Sequence, residues 1–358
     1  GVPGIWFRAQ MTIGGDKPRR ISGVTLPGLP SIVVGSNGDV AWGFTNSYGQ
    51  WFDWVAIPKS GAGAAAIAVR TQREVIAVKG GDSVELNVRE TAFGPVLRED
   101  AGHEYALSWV LYRDGAVNGR AYAMMFVSSI DDAIAIAQES GIPHQNAVIA
   151  DRAGNIAWTI MGRMPQRETP LAKRGILATP AELPQAWLPI SRYPLVKNPA
   201  DGQVWTANSR QMGAAAGALI GEGSFDLGAR AAQIRDRLRE TPKFDEQALY
   251  GVQLDDESRF LKRWAELVKT LPARDAKVDA LAEELKRWNG RADVSQSGHR
   301  IARAVRQRIE EQLWQSWLAT ADAGNNASEP PDKRYAGLPM DARFEYAAWQ
   351  ALTAKPMH

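Results

Sequence analysis

The apolar positions in the first part of the chain fall in short runs bounded by turn signals, which read as strands and hairpins. Val84, Leu86 and Val88 alternate with polar residues, which predicts a strand with one wet face. Residues 31–35 and 39–44 are short β-branched and aromatic runs joined by Asn37-Gly38, a dipeptide suited to tight turns. Residues 146–150 and 155–161 read as a second hairpin across Asp151-Arg152-Ala153-Gly154, and residues 202–207 as one more strand.

The period then changes. Ile130, Ala133, Ile134 and Ala137 share one helical face, with Ser129 placed to cap its start and Gly141 to end it. Leu227, Ala231, Ile234 and Leu238 mark a second helix, stopped by Thr241-Pro242. From Phe244 to about Ala321 the pattern is mostly helical and charge-laced, as in residues 261–269, 278–288 and 301–318. Residues 324–331 form a loop rich in Gly, Asn, Ser and Pro, and a helix-like stretch follows over 342–354. The fold class expected is α+β, with a sheet-rich core over residues 1–240 and a helical lobe over 241–358.

Composition removes several classes of function. A chain of 358 residues with a formal net charge of +2 has no basic surplus calling for nucleic acid or anionic membranes. No apolar run approaches the length of a membrane span. With no Cys there is no disulfide, thiolate nucleophile or Cys-ligated metal. The start at Gly1-Val2-Pro3-Gly4 has neither initiator Met nor signal peptide, and the chain stops just after a helix-like stretch; a processed or truncated piece of a longer protein is expected.

Three segments carry candidate chemistry, in fixed order. The first is Pro27-Gly28-Leu29-Pro30, then Gly35-Ser36-Asn37-Gly38, then Ala41-Trp42-Gly43-Phe44-Thr45-Asn46. The second is Asn146-Ala147-Val148-Ile149-Ala150-Asp151 leading to Gly154-Asn155-Ile156. The third is Gly202-Gln203-Val204-Trp205-Thr206-Ala207-Asn208-Ser209. Singly, each reads as a turn, a core aromatic or a buried amide. Together they resemble the penicillin acylase family of N-terminal-nucleophile hydrolases, near the start of the β-subunit. Weaker matches lie at Arg89-Glu90-Thr91-Ala92-Phe93-Gly94-Pro95-Val96 and Arg287-Trp288-Asn289-Gly290, and the resemblance thins after about Ala321.

The resemblance implies an αββα sandwich of stacked antiparallel sheets flanked by helices, followed by a helical lobe and incomplete at both ends. It implies an amidohydrolase whose nucleophile is a serine at the mature N-terminus, its own α-amino group serving as base. That serine is expected upstream of Gly1, so the chain alone is expected to be inactive. The oxyanion hole is expected from the backbone N–H of Asn46 and the side-chain amide of Asn208. Arg230 matches an arginine that helps hold the site, and Val33, Val34 and Phe44 match acyl-pocket positions. No cofactor is required. A structural calcium is the one ion the resemblance brings in; Asp53 matches a ligand, but Gln50 stands where a second carboxylate is expected. The partners implied are an α-subunit from the same precursor and a small N-acyl substrate, such as a β-lactam side chain or an acyl-homoserine lactone, with no nucleic acid or membrane. The periplasm or secretion is implied as the location.

Gly35-Ser36-Asn37 looks like the family's self-cleavage junction, but the Trp-Gly-x-Thr strand follows it almost immediately, so Ser36 is assigned to a turn and hairpin. Two other readings stand at this point. One is a non-catalytic binding protein that keeps the acylase scaffold. The other is a β-rich carbohydrate-binding protein, suggested only by the 13 Trp residues.

Overall fold

The computed structural model describes residues 4–354, except 17, 61–66, 101, 168–176, 242, 272–274 and 324–339. The loop expected over residues 324–331 lies outside the described residues. The chain divides into two compact units, Gly1–Phe225 and Asp226–His358. The helix that carries Arg230 therefore belongs with the helical unit, although the sequence pattern had grouped residues up to 240 with the sheets.

The first unit holds two sheets, so the α+β expectation is borne out. The seven-stranded sheet runs β1 (Phe7–Ile13), β2 (Arg19–Thr25), β3 (Val34–Ser36), β4 (Val40–Asn46), β10 (Gln145–Asp151), β11 (Ile156–Met161) and β13 (Leu195–Lys197). The six-stranded sheet runs β12 (Leu177–Ala178), β5 (Phe52–Pro58), β9 (His103–Trp109), β8 (Gly94–Glu99), β7 (Val84–Thr91) and β6 (Arg70–Ile76). Pairing is antiparallel throughout except between β12 and β5.

Alternation along the central strands sorts their side chains onto two covered faces. Trp42 lies opposite Ile149, which lies opposite Ala157; this face packs under helix α1 (Ile130–Glu139) through Ile130, Ala133, Ile134 and Ala137. Trp158 and Ile160 point the other way, into a cluster with Leu188, Tyr193 and Phe225. Ser129 caps α1 as expected, its side chain accepting from Asp132 N. Asn37-Gly38 forms its turn with Gly38 at φ +90, where a side chain would be strained. Asn37 Oδ1 accepts from the main chain of Asp39 and Val40, while its Nδ2 donates to Val127 O at 2.8 Å and to Met125 O.

Two strand expectations are corrected. Residues 202–207 join no ladder, because Thr45 and Asn146 side chains take up the Ala207 carbonyl that a neighbouring strand would have used. Val84 and Leu86 do lie on a strand, but both remain exposed, at 52% and 49%, because the β6–β7 hairpin is the outer edge of its sheet.

A short helix α2 (Ala214–Ile220) ends the first unit, and the second unit contains α3 (Ala229–Glu240), α4 (Glu246–Gln253), α5 (Arg259–Thr270), α6 (Ala276–Arg287), α7 (Gly298–Ala323) and α8 (Phe344–Thr353). Its core centres on the fully buried Trp264, whose indole N–H donates to the buried carboxylate of Glu345 at 2.9 Å. Arg306 and Arg263 pair with the same carboxylate, which offsets the cost of burying it.

One buried histidine ties the ends of β4 and β10 together. His144 stacks on Trp51 with ring centroids 3.7 Å apart, and its Nε2–H donates to Arg163 O at 2.8 Å. Its main-chain carbonyl accepts from Ser47 N, and Trp51 Nε1 donates to Ser47 O. Burial disfavours the imidazolium and pulls the His144 pKa from 6.5 down to about 4. Between those values the unfolded chain binds a proton that the folded chain refuses, so stability falls as pH falls through that window. A lowering of this size corresponds to about 3 kcal/mol lost by pH 4. Denaturant unfolding between pH 7 and 4 should show this loss, and His144→Phe, which keeps the stack, should have a correspondingly shallower pH slope.

Candidate active site

The C-terminal end of β4 forms one wall of a cavity of about 740 Å3. β-strand alternation and strand ends explain how the residues arrive there: Trp42 and Phe44 project from one face of β4, and Thr45 and Asn46 sit at its end. Val34 opens β3 and Val33 immediately precedes it, held in part by Trp42 Nε1 donating to Val33 O at 2.9 Å. Met124 and Met161 add to the apolar wall, while Asn46, Asn118, Gln145 and Asn208 supply amide groups. Among the described residues that line it, none carries a formal charge. Phe44 also packs against the main core cluster, so lining the cavity and packing the core coincide in one side chain.

Of the residues expected at a site, the first unit brings five to this one cavity: Asn46, Asn208, Val33, Val34 and Phe44. Asn208 Nδ2 donates to the main-chain carbonyl of Asn46 at 3.1 Å, so the side-chain amide and the strand end are in direct contact. Arg230 falls in the second unit, on α3, where its guanidinium pairs with Asp226 one turn earlier at 2.5 Å. Ser36 lies within β3, opposite Ser22 on β2 and Ala41 on β4, and its Oγ accepts from Gly38 N in the turn. It is a turn residue of a paired strand, as its spacing implied.

Asp53 does not fit a calcium ligand. It is buried on β5, with Arg167 Nη1 at 2.8 Å from Oδ2 and Gln50 Nε2 at 2.5 Å from Oδ1. Arg167 Nη2 also donates to Gln50 O at 2.7 Å. A guanidinium already neutralises this carboxylate and repels a second cation. Among the described residues no group of three or more His, Cys, Asp or Glu is placed to hold a metal ion.

The residues missed by sequence reasoning are those that hold the cavity wall together. Asn146, 2% exposed, donates through Nδ2 to Thr45 Oγ1, Asn46 O and Ala207 O, at 3.2, 3.3 and 3.2 Å. Its Oδ1 accepts from Trp158 Nε1 at 3.2 Å. Thr45 Oγ1 donates to Ala207 O and lies 3.0 Å from Thr206 Oγ1. The available signal was a polar residue opening an otherwise apolar strand, and that signal alone does not name its partners. Trp6, Tyr122 and Ile142 also line the cavity from segments with no distinguishing motif.

Acyl-homoserine lactone acylase QuiP of Pseudomonas aeruginosa is 26% identical over 314 residues, covering 79% of this chain and 36% of that protein. Penicillin acylase 2 proenzyme of a Pseudomonas species is 26% identical over 358 residues, covering 92% and 44%. The chain thus spans less than half the length of these relatives. A thermostable penicillin G acylase from Alcaligenes faecalis superposes with a TM-score of 0.60 at 18% identity, over 89% of this chain and 59% of that one, a likeness of fold. The penicillin amidase family model matches residues 1–356, and the chain belongs to that family.

Proposed function

We propose that the protein from which this chain comes is an amidohydrolase of the penicillin acylase type, hydrolysing the amide bond of an N-acyl substrate. The observation that carries the reading is the contact between the Asn208 carboxamide and the end of β4 at Asn46, on the wall of a cavity whose described lining is uncharged and largely apolar. Amide hydrolysis needs donors aimed at the oxygen that becomes negative in the tetrahedral intermediate. In this reading the Asn46 N–H and Asn208 Nδ2 are those donors. Val33, Val34 and Phe44 hold the acyl group, which is neutral and apolar because a charged group buried against such a wall would be left unpaired.

The nucleophile is assigned to an N-terminal serine preceding Gly1, released from a precursor together with an α-subunit. Its α-amino group has a pKa near neutrality and takes the hydroxyl proton, so no His or Asp partner is needed. The leaving amine is a β-lactam nucleus, a homoserine lactone or a related amine. A relative named a proenzyme supports the precursor, and the relatives' names support the two substrate classes. The same reading locates the enzyme in the periplasm or outside the cell.

The test is hydrolysis of a panel of N-acyl-homoserine lactones and N-acyl β-lactams by the full-length processed protein. Asn208→Ala should lower kcat by about 100- to 1,000-fold with an unchanged circular-dichroism spectrum, the usual loss for one oxyanion donor. Near-native turnover by this variant would remove the oxyanion role.

Because Arg167 already neutralises Asp53, turnover and thermal stability should be unchanged by EDTA or by millimolar calcium. Arg167→Ala should cost about 3–5 kcal/mol by removing the guanidinium that neutralises the buried Asp53 carboxylate, and the double variant Arg167→Ala/Asp53→Asn should cost less than Arg167→Ala alone. Denaturant unfolding of the native protein and both variants checks this.

A further inference from the structure

We infer that Asn146 is a positioning residue for acyl hydrolysis, holding the main chain at Asn46 and Asn208 in the geometry that stabilises the oxyanion. This rests on the reading of those two residues as oxyanion donors. Asn146 itself does not line the cavity, so its effect passes through the groups it holds.

The side chain has a single orientation. An indole N–H can only donate, so Trp158 Nε1 requires an acceptor and fixes Oδ1 on its side. The Nδ2 group must then face the opposite way, toward Thr45 Oγ1, Asn46 O and Ala207 O. Burial makes this arrangement costly to leave, because a displaced amide would find no water to replace its partners.

Its two main-chain acceptors sit at the points that matter. Ala207 O belongs to the peptide group whose N–H is that of Asn208, so gripping it sets the plane from which the Asn208 side chain departs. Asn46 O receives both Asn146 Nδ2 and Asn208 Nδ2, so one carbonyl is shared by the positioning amide and the donor amide. Residues 202–207 join no ladder, and the bonds from Asn146 and Thr45 to Ala207 O serve in place of one. Thr45 thus works with Asn146, accepting from its Nδ2 and donating to the same carbonyl.

A group that positions donors used mainly in the transition state should act on kcat and spare KM, since the apolar wall that binds the acyl group is built by other side chains. Misplacement by about an ångström costs up to roughly 100-fold. The experiment uses the full-length processed protein with the N-acyl substrate it turns over best in the panel above. Asn146→Asp keeps the shape and the Trp158 bond but removes the Nδ2 donors. Thr45→Val removes the hydroxyl at constant shape, and Thr45→Ser restores it.

The expected result is a fall in kcat of at least about 10-fold for Asn146→Asp and for Thr45→Val, with KM within about twofold of native, and recovery in Thr45→Ser. Combining Asn146→Asp with Asn208→Ala should cost less than the product of the two single losses, because one residue acts partly through the other. If burying a carboxylate prevents Asn146→Asp from folding, the Thr45 pair and Asn146→Ser decide the matter by the same criteria. Native kcat in the folded variants, or a loss carried wholly by KM, would overturn the inference. The outcomes also separate the two proposals: if Asn208→Ala is impaired while these variants are not, positioning fails and the oxyanion role stands. If Asn208→Ala is itself active, the oxyanion role has failed first.

Discussion

The antiparallel pairing of β4 with β10 is the constraint on which the candidate site depends. Its register sets Trp42 opposite Ile149, Thr45 opposite Asn146, and Asn46 opposite Gln145. A slip of one residue would turn Trp42 out of the core beneath α1 and carry Asn146 to the other face, away from Asn46 and Ala207. The energy that prevents the slip comes from apolar burial on both faces of the sheet, through the cluster around Trp42, Ile149 and Met161 and the cluster around Trp158 and Ile160.

Core and site are therefore coupled through shared residues. Trp158 is a buried core aromatic whose N–H also fixes the orientation of Asn146. Trp42 packs beneath α1 and anchors Val33, and Phe44 joins the core while lining the cavity. His144 adds a further tie, stacked on Trp51 and bonded through its carbonyl to Ser47 just beyond Asn46. A site assembled this way is preorganised by packing that is present before any substrate arrives, which is what transition-state stabilisation by fixed dipoles requires.

A different solution operates at Asp53. A buried carboxylate must be paired or bound to a metal, and here an arginine from the segment after β11 does the pairing while also gripping the main chain at Gln50. The exposed apolar positions of the β6–β7 hairpin, Val75, Ile76, Val84 and Leu86, contrast with this closed arrangement. Their alternation was enough to form strands, because ladder hydrogen bonds need only an extended backbone and a neighbour.

Much of the fold was legible in the sequence because local pattern and local chemistry suffice for it. The Asn37-Gly38 turn, the hairpin over Asp151–Gly154, the Ser129 cap and the periodic helices all follow from residues close together in the chain. The ordered motifs also placed Asn46, Asn208, Val33, Val34 and Phe44, and the structure gathers them on one cavity. What only tertiary structure decided is set by contacts between residues far apart in sequence. The Ala207 carbonyl is taken by Thr45 and Asn146, 162 and 61 residues away, so a segment with strand composition forms no strand. Arg167 reaches Asp53 across 114 residues and closes a carboxylate that the motif alone left open to a cation. A sequence window carries no record of such partners, because hydrogen bonds and ion pairs of this kind are made by geometry that exists only once the sheet has closed.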